Sequence, residues 1–77
     1  MNKDEFYRKL EELMELDPGT IDGNTELAGL EAWDSVAVVS FIALADSEYG
    51  AVVPPKSISS AKTAGNLAEL VLEHAES

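Results

Sequence analysis

The chain has 77 residues, 45% of them hydrophobic, which suffices for one small folded domain spanning 1–77 and argues against a disordered tail or a second domain. Fifteen acidic residues against five basic ones give a net charge of −10, which repels nucleic acid phosphates and anionic membrane surfaces and favours basic protein partners. Without cysteine there is no disulfide framework, thiolate metal site or cysteine nucleophile, and no apolar stretch is long enough for membrane insertion.

The amino-terminal residues Met1 to Glu5 lack the basic and apolar regions of a secretory leader, so a cytoplasmic protein is expected; separately, a monomer is expected. Phe6, Leu10, Leu13 and Met14 then recur at helical spacing with Lys, Glu and Arg between them, predicting an amphipathic first helix. Asn2 followed by Glu5 is a variant capping box at its start, and Asp17-Pro18-Gly19 is the expected stop. From Asp17 to Trp33 no period is visible. A long loop is expected there, held down by Ile21, Leu27, Leu30 and Trp33.

A second helix is predicted from Asp34-Ser35 to about Tyr49, with Gly50 as its stop. Val38, Phe41, Ile42, Ala45 and Tyr49 form its core stripe, while Val36, Ser40, Ala43 and Ser47 form a small-residue face expected to be exposed. Val52 and Val53 would suit a strand, but Pro54-Pro55 follows at once and nothing is available to pair with them, so a loop is expected. Ser57 to Ala61 reads as one short helical turn. Thr63 reads as the N-cap of a last helix carrying Leu67, Leu70, Val71 and His74 on one side. The expected fold is all-α: a four-helix bundle with three main helices, a short third one, and a long loop between helices 1 and 2.

Chemistry is concentrated at Trp33-Asp34-Ser35-Val36, where a hydroxyl stands at the junction of the long loop and the second helix. A phosphate ester on Ser35 would be favoured by the unpaired N–H groups and the positive dipole end of that helix, and Asp34 can cap the same groups. Taken alone, an Asp-Ser pair is more often just a helix start. The only histidine, His74, lies on the last predicted helix, where packing or the C-terminal dipole accounts for it; no serine–base pair is expected, and the chain does not read as an enzyme. Asp22-Gly23-Asn24 suggests a calcium loop, but that frame would put Pro18 at the first ligand position and Gly29 at the twelfth, so no metal site is expected. Trp33 and the valines read as core rather than as a preformed ligand pocket.

With these features in place, the chain resembles the acyl carrier protein family, including its peptidyl and aminoacyl carrier relatives, over essentially its whole length. Trp33-Asp34-Ser35-Val36 is similar to that family's Asp-Ser-Leu core, often preceded by Trp in stand-alone members, with Val in place of Leu. Asp46-Ser47-Glu48-Tyr49-Gly50 is similar to its acidic cluster and aromatic-Gly pair at the end of the second helix. Ile58 and Ala61-Lys62-Thr63-Ala64-Gly65-Asn66-Leu67 resemble its third helix and the Thr-Val-Gly-Asp-Leu opening of the last one.

The resemblance implies that a phosphopantetheinyl transferase attaches 4′-phosphopantetheine from coenzyme A covalently to Ser35, beside the cap Asp34. Its thiol would then carry acyl groups as thioesters between acyl-loading and acyl-using enzymes of fatty acid, polyketide or other specialised biosynthesis. Those partners, with basic docking patches, would be met by Val36, Val39, Ala43, Asp46 and Glu48. Ser40 stands where the family commonly carries an acidic residue, so docking should lean more on Val36, Val39 and Ala43, which favours a specialised pathway over general fatty acid synthesis. Bulky Phe41, Ile42 and Leu44 would leave less room for a long acyl chain. The alternatives are an aminoacyl or peptidyl carrier of a nonribosomal pathway, or an unmodified helical interaction module for which Ser35 is dispensable.

Overall fold

A computed structural model describes residues 2–75; residues 1, 76 and 77 of the expected domain lie outside them. Helix α1 spans Lys3–Leu13 and is started by Asn2, whose Oδ1 accepts from the N–H groups of Asp4 at 2.9 Å and Glu5 at 3.3 Å. Asp4 and Glu5 place negative charge in the first turn, where the dipole favours it. Phe6, Tyr7 and Leu10 face inward, as the spacing predicts.

The helix ends several residues before Asp17-Pro18-Gly19. Glu15 takes a left-handed conformation, with φ 57°. The Leu16 N–H then donates to the Glu11 carbonyl at 2.8 Å, and the Glu15 N–H to the Glu12 carbonyl at 3.2 Å. This is the paired closure of a Schellman motif, built on a glutamate where a glycine or asparagine is usual. Nothing in the residue types announces it, which is why Asp17-Pro18-Gly19 looked like the stop.

The connection from Met14 to Asp34 is irregular apart from a 3₁₀ turn at Leu27–Gly29. Its four apolar residues act as anticipated: Ile21 and Leu27 are buried, and Leu30 and Trp33 pack half-buried against the core. Two polar devices add to them. Glu11 on α1 is only 2% exposed; its Oε2 accepts from the Ile21 N–H at 2.8 Å, and its Oε1 lies 2.6 Å from Arg8 Nε. Arg8 Nη2 in turn donates to the Ile21 carbonyl at 2.8 Å, so both polar groups of Ile21 are held by α1.

The second device joins the loop to the start of the last helix. The Leu27 N–H donates to the Lys62 carbonyl at 2.9 Å, Ala64 N–H to Thr25 at 2.9 Å and Gly65 N–H to Gly23 at 3.1 Å. The approach is close: a Cβ on Gly65 would sit 2.6 Å from the Gly23 carbonyl oxygen, so no larger residue fits there without moving backbone.

Helix α2 spans Ser35–Tyr49, beginning and ending where expected, with Asp34 as N-cap and Gly50 as a left-handed C-cap at φ 63°. Ala37, Phe41 and Ala45 are its buried residues, with Val38, Ile42, Leu44 and Tyr49 half-buried beside them. Val36, Ser40, Ala43 and Ser47 are exposed, as the pattern predicts. Aromatic rings fill the interior. Phe6 meets Phe41 and Tyr49 edge-on at 6.1 Å each, and Trp33 meets Phe41 at 6.0 Å, geometries that rings prefer over face-to-face stacking.

Val52 and Val53 form a loop, with Val53 buried and Val52 exposed. Helix α3 covers Pro55–Ser60, two residues ahead of the expected Ser57 start, because Pro55 occupies the first helical position, where a missing N–H is not needed. Helix α4 covers Ala64–His74 and is opened by a full capping box: Thr63 Oγ1 accepts from the Asn66 N–H, and Asn66 Oδ1 from the Thr63 N–H, both at 3.2 Å. Leu67 and Val71 are buried and Leu70 and His74 half-buried, with Ala64 and Ala68 completing the inner face. Among the described residues there are four α-helices and no strand beyond two isolated bridges, Glu26 with Thr63 and Ala51 with Ala75. Helix α1 packs on α2 and α4, and α3 closes the bundle against the same two helices.

Candidate functional site

Ser35 is the first residue of α2 and is exposed. Three neighbours fix it there. Trp33, two residues earlier, is pinned edge-on against buried Phe41, which brings the incoming chain down onto the core. Asp34 is extended, with φ −120° and ψ −172°, so the chain turns sharply into the helix. Its Oδ1 accepts from the Ala37 N–H at 2.9 Å, and its carbonyl from the Val38 N–H at 3.0 Å. Ala37 then buries itself in the core immediately beyond the serine.

With Ala37 N–H taken by Asp34, the N–H groups of Ser35 and Val36 are the ones that helix geometry leaves without an intrahelical acceptor. They stand at the positive end of a helix of 15 residues, beside an exposed hydroxyl. A phosphodiester on Ser35 Oγ fits this place: the hydroxyl is accessible, and the negative charge would lie against unpaired donors. The described contacts provide no histidine or lysine to activate the serine. His74 lies in the last turn of α4, where a cation suits the negative end of the helix dipole.

Of the other residues singled out in the sequence, Val36, Val39, Ala43 and Asp46 recur at three- and four-residue intervals and share one exposed stripe of α2. Val36 is 72% and Val39 66% exposed, high values for valines on a helix that also builds the core. Glu48 lies apart from them. It turns toward α1, where Lys9 Nζ donates to its Oε1 at 2.8 Å. That pairing joins residues far apart in the chain and could not be read from local pattern. Asp22, which with Gly23 and Asn24 suggested the rejected calcium loop, closes a turn instead, its Oδ1 accepting from the Asn24 N–H at 2.8 Å.

The sequence also gave no sign of what surrounds Ser35. A depression of about 320 Å³ lies between the end of α1 and the start of α2, with Asp34 and Val36, the two neighbours of Ser35, in its wall. Leu13, Met14 and Glu15 form the opposite side, placed there by the early, left-handed end of α1.

The fold is thus a four-helix bundle of acyl-carrier type, small and acidic, with a serine presented at the start of its second helix. Among curated proteins, the acyl carrier protein of Lactobacillus acidophilus is 28% identical over 78 aligned residues, covering 96% of this chain and 98% of its own length. The resemblance to the acyl carrier protein family is borne out by that relative and by the helical architecture. No family model and no solved structure matches the chain. Among the described residues, no helix is long and apolar enough to cross a membrane.

Proposed function

We propose that this protein is a carrier: Ser35 receives a 4′-phosphopantetheine arm, and the loaded arm is presented to partner enzymes. What carries the proposal is the placement of Ser35, exposed at the first position of α2 behind the Asp34 cap and the Trp33 anchor, in a chain similar to an acyl carrier protein. In the transfer step, Ser35 Oγ gives up its proton and forms an ester bond to phosphorus, while the nucleotide part of coenzyme A leaves from the same phosphorus. The activating base and the metal belong to the transferase. When bound, the arm supplies the thiol that this chain lacks, and cargo rides on it as a thioester.

The chain's own part is to tether and to be recognised. The stripe of Val36, Val39, Ala43 and Asp46 runs down α2 from the attachment point and supplies apolar contact with one terminal charge, which suits partners with a basic rim around an apolar patch. Glu48 contributes to that face only in competition with Lys9. The pathways served are fatty acid, polyketide or other specialised biosynthesis.

Intact-mass measurement after incubation with coenzyme A, magnesium and a broad-specificity phosphopantetheinyl transferase tests the proposal. The expected result is a gain of one phosphopantetheine group, absent in Ser35→Ala. That variant should keep its fold, because the cap is made by Asp34 and not by the serine hydroxyl. No gain with several transferases would sink the carrier proposal and leave a helical interaction module working through its exposed valines.

A further inference from the structure

The depression between α1 and α2 has a composition that discriminates among cargoes. Leu13, Met14, Val36 and Ala37 give it apolar surface, and Glu15 and Asp34 give it two carboxylates. No basic residue occurs anywhere from Ser35 to Tyr49. On α1, Arg8 is engaged by Glu11 and Ile21 and Lys9 by Glu48, and Lys3 stands at the opposite end of the helix from the groove, so none of the three cations is placed to offset that charge. A group with an apolar body and a positive charge is complementary to such a wall, whereas one ending in a carboxylate is repelled.

Two further features point the same way. The groove opens beside the attachment point, with Asp34 and Val36 flanking Ser35 directly, so an arm that folds back over the start of α2 brings its far end into it. The bundle interior, by contrast, is filled: Phe6 and Phe41 are fully buried and in edge-to-face contact, so a chain entering beneath α2 would have to displace them.

We infer that the group tethered at Ser35 lodges in this α1–α2 groove, and that the groove favours an aminoacyl group, with a protonated amine and an apolar side chain, over acyl groups that lack the amine. The inference rests on the carrier proposal and goes beyond it by naming the class of cargo. The amine would lie near Glu15 and Asp34, and the side chain against Leu13, Met14 and Val36.

The test uses the full chain loaded by a transferase with hydrolysis-resistant coenzyme A analogues, one carrying a leucyl group and one its counterpart without the amine. Intact mass confirms loading first; failure to load overturns the carrier proposal, and this inference with it. With both forms loaded, backbone amide resonances are compared with those of the unacylated arm. The leucyl form should shift Met14, Glu15, Val36 and Ser40. The counterpart and the leucyl form of Glu15→Gln should show these shifts reduced by about threefold, the effect of one exposed charge pair. Glu15→Gln keeps the backbone conformation and side-chain length, so a loss there reports charge and not shape. Equal shifts from both cargoes, shifts confined to Asp34 and Ser35, or shifts centred on Phe41, Val53 and Ile58 would each overturn the inference.

Discussion

Helices α1 and α2 end in the same backbone conformation on different residues: Gly50 closes α2 at φ 63°, and Glu15 closes α1 at φ 57°. At Gly50 the chain chemistry and the geometry agree, since glycine enters the left-handed region without steric cost. At Glu15 they disagree, and the conformation is imposed by surroundings. Leu16 N–H reaches back to the Glu11 carbonyl, while the Glu11 side chain, buried among Arg8 and the Ile21 peptide, fixes where the following loop must go. A local rule therefore suffices for one helix end, and a tertiary clamp writes the other.

That contrast can be broken most severely through the clamp. Glu11→Ala removes the acceptor for the buried Ile21 N–H and the partner of Arg8. Urea titration should show a loss of about 2–3 kcal/mol, the usual cost of leaving buried polar groups unmatched. A loss under about 0.5 kcal/mol, the range of ordinary surface changes, would mean the clamp is incidental. Next in size, Gly50→Ala forces a Cβ into the left-handed region and should cost about 1–2 kcal/mol by the same titration. The reciprocal change, Glu15→Gly, should move stability the other way, by a gain of about 0.5–1 kcal/mol, because relief of strain exceeds the extra freedom of an unfolded glycine. Should Glu15→Gly destabilise instead, the glutamate side chain itself would be holding the α1 end.

The smallest effect concerns pH and the contact between the two helices. Burial raises Tyr7 and Tyr49 above the usual 10.0, and the hydrogen bond to Glu48 raises Lys9 above the usual 10.5. All three groups hold their protons more tightly when folded, so above pH 10 the unfolded chain releases protons first. Stability should thus be unaffected by these groups up to about pH 10 and should fall beyond it, with Lys9→Met flattening part of the fall. Thermal melts across that range check the sign; a rise above pH 10 would contradict the contacts described.

The same contrast separates what could be read in the sequence from what could not. Helix α2, its Asp34 and Gly50 caps and its exposed face were legible because each is a local matter of periodicity and residue type. So was the Thr63 start of α4. The α1 stop was not, because glutamate carries no preference for the left-handed region. Pro54-Pro55 read as a breaker and so hid the start of α3, where proline is a helix opener. Ser35 was legible through its neighbours Trp33 and Asp34, but the groove beside it is assembled from the end of α1 and the start of α2 and exists only once the chain has folded. Glu48 looked free for a partner because Lys9, its ion-pair partner, is 39 residues away.

The backbone clasp between residues 23–27 and 62–65 bears on how the protein comes into being. As the chain leaves the ribosome, the connection that leads into Ser35 has no anchor on α4 until Gly65 has emerged. The serine would be present throughout that interval on a tether still loose at one side. The proposed attachment site is therefore completed by a segment synthesised well after Ser35 itself, and a nascent chain presents a hydroxyl before it presents a site.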